Sequence, residues 1–205
     1  MFSATDKAEL YRRNNHYEED IMRDGVCEGI EYFTSLRRLR CSNNSITGTL
    51  DLSGRTALRR LECNFNQLTQ INLAGCTALE ILTYWGNNIT ALDVSQCTEL
   101  TQLECRDNNI GTLDVSRNTA LETLSCNSNR LSELNLSTNT ALTALKCMLN
   151  RLTALDLSRN TNLRILYCGH NNISTLDLSH NTMLEEFRCD YSRITALLLE
   201  WDCTV

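Results

Sequence analysis

Leu121-Glu122-Thr123-Leu124-Ser125-Cys126-Asn127-Ser128-Asn129-Arg130-Leu131 is one copy of the phrase that decides the fold, L-x-x-L-x-C-x-x-N-x-L. Eight copies follow one another from Leu36, spaced by 21 residues after a first step of 22. The cysteine column runs Cys41, Cys63, Cys105, Cys126, Cys147, Cys168 and Cys189, with Tyr84 in the third slot. Three residues further on stand Asn44, Asn66, Asn87, Asn108, Asn129, Asn150 and Asn171, then Ser192. A second segment with alternating apolar residues, such as Leu113-Asp114-Val115-Ser116 or Leu155-Asp156-Leu157-Ser158, leads into an N-T-x-L turn. A fixed period of this size marks a solenoid, in which a unit too small to bury its own apolar residues gains a core by stacking on its neighbours.

In L-x-x-L-x-C the second Leu and the Cys are two apart, so a strand turns both to one face and the residue between them to the other. Stacked as parallel strands roughly 4.8 Å apart, the copies make a sheet about 34 Å long over seven steps. The chain must then turn sharply, and a buried Asn amide both donates and accepts, so a column of them satisfies peptide groups that the turn would strand. The reading is an α/β-type leucine-rich repeat solenoid. Its short parallel strands line a concave face, its repeats hold little helix, and a helical cap covers its N-terminal end. Residues 1–28 are the expected cap, 29–197 the array and 198–205 a C-terminal cap or edge, all in one domain. In the cap, Asp6 and Glu9 have capping-box spacing, and Leu10, Tyr17 and Ile21 fall near one helical face.

The 21-residue spacing, the Cys in a core Leu position and the L-T-x-L-D-(L/V)-S-x-N-T-x-L phrase resemble the internalin-type repeats of bacterial surface proteins, in particular the internalin J type with its cysteine ladder. Gly29-Ile30-Glu31-Tyr32-Phe33-Thr34-Ser35-Leu36 resembles the phrase that leads into such arrays. The resemblance covers about residues 29–197. It implies a non-enzymatic adhesion or protein-recognition module, secreted or displayed at the cell surface. Met1–Asp20 is polar, without the apolar stretch of a signal peptide. The expectation is therefore a cytoplasmic protein if the chain is complete as given, or one whose export signal has been removed.

Formal charge −6 and the confinement of clustered arginines to one end argue against nucleic acid as a partner. No apolar run approaches the length that spans a bilayer. His16, His170 and His180 are scattered, and neither H-E-x-x-H, G-x-S-x-G nor a phosphate-cradling glycine loop occurs. The reading is not an enzyme, with no cofactor and no metal. Seven of the eleven cysteines occupy one inward column, where a thiol serves as a small apolar side chain. Cys76 and Cys97 replace the turn Asn found at Asn118, Asn139, Asn160 and Asn181, with at most one local bridge between them.

Function is sought in what varies while the frame is constant. Outward positions around each strand supply Phe65, Ile81, Trp85, Glu104, Arg106, Lys146, Met148, Leu149, Tyr167, His170, Arg188 and Tyr191. Trp, Tyr, Phe and Arg are the types enriched in binding hot spots, because rigid rings bury much area at little entropic cost. These residues are the candidate contacts for a protein partner, the chain itself being a monomer or weak homodimer. Arg38, Arg40 and Arg60 form a second candidate patch, able to attract carboxylates or phosphates. At the far end Leu198 takes a position held by Asp or Asn in every earlier copy. It marks either a segment folded over the last repeat or a self-association edge.

Overall fold

The computed structural model describes residues 30–199. Within them Ile30–Tyr32 forms one 3-10 turn, and the rest is strand, turn and extended chain, with no α-helix. The expected helical cap lies outside the described residues. The α/β-type label is corrected: the described array is an almost helix-free β-solenoid. Its return segments explain why. Leu113 and Val115 are buried while Asp114 between them is exposed, a period of two that suits extended chain, in a stretch too short for a stable helix.

Eight parallel strands make the main sheet in repeat order: Arg38–Arg40, Arg60–Glu62, Ile81–Thr83, Gln102–Glu104, Thr123–Ser125, Ala144–Lys146, Ile165–Tyr167 and Glu186–Arg188. Register is constant, Leu39 facing Leu61, Leu61 facing Leu82, and so on to Leu166 facing Phe187. The return segments pair in two places, Thr47–Asp51 with Gln67–Asn72 and Thr175–Asp177 with Ala196–Leu198. Between sheet and return segments runs one continuous core that includes the leucine columns and the cysteine ladder. Each fully buried Leu contributes on the order of 1.5–3 kcal/mol relative to an exposed one.

Two asparagine ladders stitch the repeats together. In the first, Asn129 donates from Nδ2 to Cys105 O of the previous repeat at 3.0 Å and to its own Cys126 O at 3.1 Å, while its Oδ1 accepts Ile110 N–H at 3.0 Å. Asn66, Asn87, Asn108, Asn150 and Asn171 repeat the arrangement. The second ladder is Asn118, Asn139, Asn160 and Asn181, each buried and each donating twice into the preceding repeat, as Asn139 does to Val115 O at 3.0 Å and Asn118 O at 2.8 Å. Cys76 and Cys97 occupy this column as free, buried thiols, not as a bridge. The Cys76 thiol donates to Leu52 O, 3.2 Å away, where the asparagines use an amide.

Each return segment before the last ends in a turn whose Asp or Asn accepts the amide two residues on, as Asp51 does from Ser53 and Asp114 from Ser116, both at 2.9 Å. These bonds hold the Asp51, Asp93, Asp114, Asp156 and Asp177 carboxyls below the usual range. The largest cause is the serine amide at Asp51, Asp114 and Asp156, and the serine hydroxyl at Asp93 and Asp177. A carboxyl whose folded pKa is depressed adds stability above its unfolded pKa, about 3.9 for Asp. That stability is lost as pH falls through the folded value. Urea midpoints should therefore be flat from neutral pH to about pH 5 and fall below about pH 4. Replacing the five aspartates by Asn, the residue already present at Asn72 and Asn135, should flatten that fall.

Candidate recognition face

Three outward positions per repeat surround the cysteine: the strand residue before it and the two residues after it. The second residue after it has a left-handed backbone in every repeat, at Asn43, Phe65, Gly86, Asp107, Ser128, Leu149, His170 and Tyr191, with φ between 50° and 69°. Asn43, Gly86, Asp107 and His170 are types that tolerate the conformation, Gly having no Cβ penalty and Asn, Asp and His being enriched there. Phe65, Leu149 and Tyr191 are not, and bulky side chains there cost roughly 1–2 kcal/mol each. Sequence reading missed this column. The recurrence of Asn, Gly, Asp and Ser at one slot was its available signal.

The candidate residues fall into two clusters. In the first, Phe65 meets Trp85 edge-on, ring centroids 4.0 Å apart, and the Arg106 guanidinium lies over the Trp85 ring, 4.0 Å from its centroid. Phe65 can take this place because Gly86 has no side chain: a Cβ there would stand 2.9 Å from Phe65 Cδ1. Trp85 is consequently half-buried against its neighbours, and its ring packs between repeats before any partner arrives. In the second cluster, Lys146 at 5.3 Å and Arg188 at 4.8 Å both lie against the Tyr167 ring, and His170 stacks on Tyr191 at 4.6 Å. Glu186 pairs with Arg188 at 3.1 Å, and its hydrogen bond with Tyr167 is the main cause that raises that phenol's pKa.

Ile81 and Glu104 join neither cluster. Ile81 is half-buried in its strand, and Glu104 accepts from Gln102 Nε2 at 2.7 Å. Met148 is half-buried beside exposed Leu149, and its amide donates to Asn127 Oδ1 at 2.8 Å. Repeat five, with Thr123, Ser125, Asn127 and Ser128, separates the clusters with small polar groups. At the N-terminal end Arg40 and Arg60 both turn to Glu62, and Arg59 pairs with Glu80.

Behind the face, burial pushes the Cys105 and Cys168 thiols up to about 12 and raises Cys126 and Cys147 as well. The thiolate is the reactive form, so these ladder cysteines are chemically quiet. Tyr84 fills the third slot of the ladder, fully buried. Among the described residues no group of three or more His, Cys, Asp or Glu is placed to hold a metal ion.

No family model matches the chain, nor does any curated protein sequence. Solved structures do. The functional domain of InlJ from Listeria monocytogenes, which includes a cysteine ladder, superposes with a TM-score of 0.57 at 25% identity, over 85% of this chain and 60% of that one. Its fold is that of the internalin-like leucine-rich repeat proteins. The same internalin-like fold is shared with an internalin, InlF, from Listeria monocytogenes, at TM-score 0.53 and 19% identity, over 89% of this chain and 78% of that one. A leucine-rich repeat protein of Leptospira interrogans aligns at TM-score 0.59 and 20% identity, over 82% of this chain and 52% of that one. The chain thus spans 60% and 52% of the lengths of the InlJ domain and the Leptospira protein. The internalin-like frame accounts for the ladder columns and leaves the face to the individual side chains.

Proposed function

We propose that this chain is a non-enzymatic recognition module that binds a partner protein through the outward face of its main sheet, centred on repeats six to eight. One observation carries the reading. Leu149 and Tyr191 occupy left-handed positions at which Asn or Gly would be less strained, His170 stands at the left-handed position between them, and all three remain exposed, Leu149 at 50% and Tyr191 at 83%. Strain kept where it does not serve packing points to function. The three side chains form a continuous ridge about 10 Å long, two steps of roughly 4.8 Å. Tyr167, held between Lys146 and Arg188, stands beside it as a pre-ordered anchor. Leucine-rich repeat folds of this kind serve as protein-interaction frames, in keeping with this reading.

The test separates stability from binding at one residue. Tyr191→Asn removes an exposed ring from a strained position, so stability should rise by about 0.5 kcal/mol, read as a higher urea midpoint, once the lost stacking on His170 is set against relief of about 1–2 kcal/mol. Capture from cell-surface extract and from cytosolic lysate in parallel should yield a protein retained by the wild type and lost with the variant. A lower midpoint together with unchanged capture would refute the ridge. The exposed Leu197, Leu198 and Leu199 favour a second reading, self-association through the C-terminal edge. Among the described residues, Ala196–Leu198 continues the return stack as a strand on Thr175–Asp177. If nothing is captured and the protein sediments as a dimer that Leu198→Asp dissolves, that reading replaces the first.

A further inference from the structure

We propose that, on the recognition face assigned above and resting on that reading, Lys146 receives one side-chain carboxylate of the bound protein segment. Two cations lie against the Tyr167 ring, and they differ in what else they hold. Arg188 pairs with Glu186 at 3.1 Å. Lys146, 5.3 Å from the ring centroid, makes no ion pair among the described residues. The sequence around it explains why. Across repeats five, six and seven, the two outward strand residues and the two residues after each cysteine include no carboxylate, and Lys146 is the one with a fixed charge. Glu122 precedes the strand, three residues before the position level with Lys146, or about 10 Å along the chain.

The chemistry of the occupant follows from this setting. The Tyr167 ring already holds the ammonium in place, so a bound anion meets a partly ordered charge at reduced entropic cost. Repeat five presents only small polar side chains such as Ser125, level with Lys146 on the neighbouring strand, and leaves that side open to an approaching group. Both flanks limit the size of the anion. Repeat four sets Glu104 and Asp107 against Arg106, and repeat eight sets Glu186 and Asp190 against Arg188, so each flank has two carboxylates to one guanidinium. They lie two strand steps from Lys146, about 10 Å, close to the Debye length of about 8 Å at physiological salt. A long polyanion would therefore meet negative charge on either side, whereas one carboxylate matches one ammonium. Leu149, 50% exposed, and half-buried Met148 follow Lys146 in the same repeat. The segment that fits carries a single Asp or Glu next to an apolar side chain.

The probe is a displayed library of random dodecapeptides, selected in parallel on the full chain, on Lys146→Gln and on Tyr191→Asn. Peptides enriched on the wild type should share one acidic position beside an apolar one, and the Lys146→Gln selection should lack it. One such peptide, synthesised with an amidated C-terminus, should lose roughly tenfold in affinity through Lys146→Gln or through its own acid-to-amide change, the scale of one hydrogen bond to a charged group. Both changes together should cost no more than either alone. Arg159→Gln, the same change of net charge at a return turn, should bind as the wild type. Losses that multiply, or an enriched set without an acidic position, would overturn the proposal; if that set is still lost with Tyr191→Asn, the ridge stands without it. Binding that requires a free C-terminal carboxylate would overturn it by giving the charge another source. Tighter Lys146-dependent binding of a phosphotyrosine version would do the same by replacing the carboxylate with a phosphate. A selection that enriches nothing also overturns it, and the capture experiment then judges the ridge alone.

Discussion

Asn150→Ala is expected to be among the most destabilising single changes in the array, by roughly 3–5 kcal/mol, read as a lower urea midpoint by circular dichroism. The Asn150 amide donates to Cys126 O at 2.9 Å, Cys147 O at 3.1 Å and Met148 O at 3.2 Å, and its Oδ1 accepts Leu131 N–H at 3.0 Å. Alanine strands the Leu131 N–H in a place almost closed to water, whereas Cys126 O keeps the Asn129 amide, Cys147 O the Asn171 amide and Met148 O the Ser128 N–H. Each orphaned buried group costs about 1–3 kcal/mol. The two amide protons lost to the carbonyls add about 0.5–1.5 kcal/mol each. Asn150→Asp should be no milder at neutral pH, because it keeps the acceptor for Leu131 and turns a carboxylate toward three carbonyl oxygens. Asn127→Ala, which removes one contact to Met148 N, should cost about 1 kcal/mol. Equal costs at Asn127 and Asn150 would show that the ladder is not what joins the repeats.

The second large effect is expected at Cys126. Its thiol is fully buried in the ladder, and desolvation first, then the neighbouring Cys105 and Cys147, raise its pKa well above the usual value. Cys126→Ser puts a hydroxyl into an apolar column and should cost on the order of 1–3 kcal/mol. Cys126→Ala removes only the sulfur's contacts and should be the milder of the two. The predicted order of urea midpoints is wild type, then Ala, then Ser. A serine variant as stable as the alanine variant would mean that the column tolerates a polar group and that the ladder is not selected for its apolar character. Thiol reagents should reach Cys126 only through unfolding, at a rate that follows the opening equilibrium.

Much of this molecule was legible because the repeat states each structural choice eight times. The alternation of Leu39 with Cys41 around exposed Arg40 predicted the strand and its inner face, which the structure repeats in every inner coil, while the residue between the two is itself buried at Thr83 and Ser125. The Asn44-to-Asn171 column was read as satisfying turn peptides, which it does. Its reach into the preceding repeat, as from Asn129 to Cys105 O, is a contact across 24 residues and depends on how the coils stack. The Asn118 column was read as a turn feature for the same reason. A side chain that closes a local turn and one that bonds the coil before it look alike in sequence.

The binding candidates show the limit more clearly. Trp85 and Arg106 were chosen as exposed hot-spot types, yet they are spent partly on each other and on Phe65. Arg40 and Arg60 were read as an anion patch, and both already share Glu62. Period, strand face, core columns and the number of coils were determined by the sequence alone, because period-two alternation and stacking need only residue type and spacing. Which outward side chains lean on their neighbours, and which stand clear in strained backbone, was decided only by the tertiary structure. Those outcomes depend on φ at the strand exit and on the distance between coils, and a single repeat contains neither.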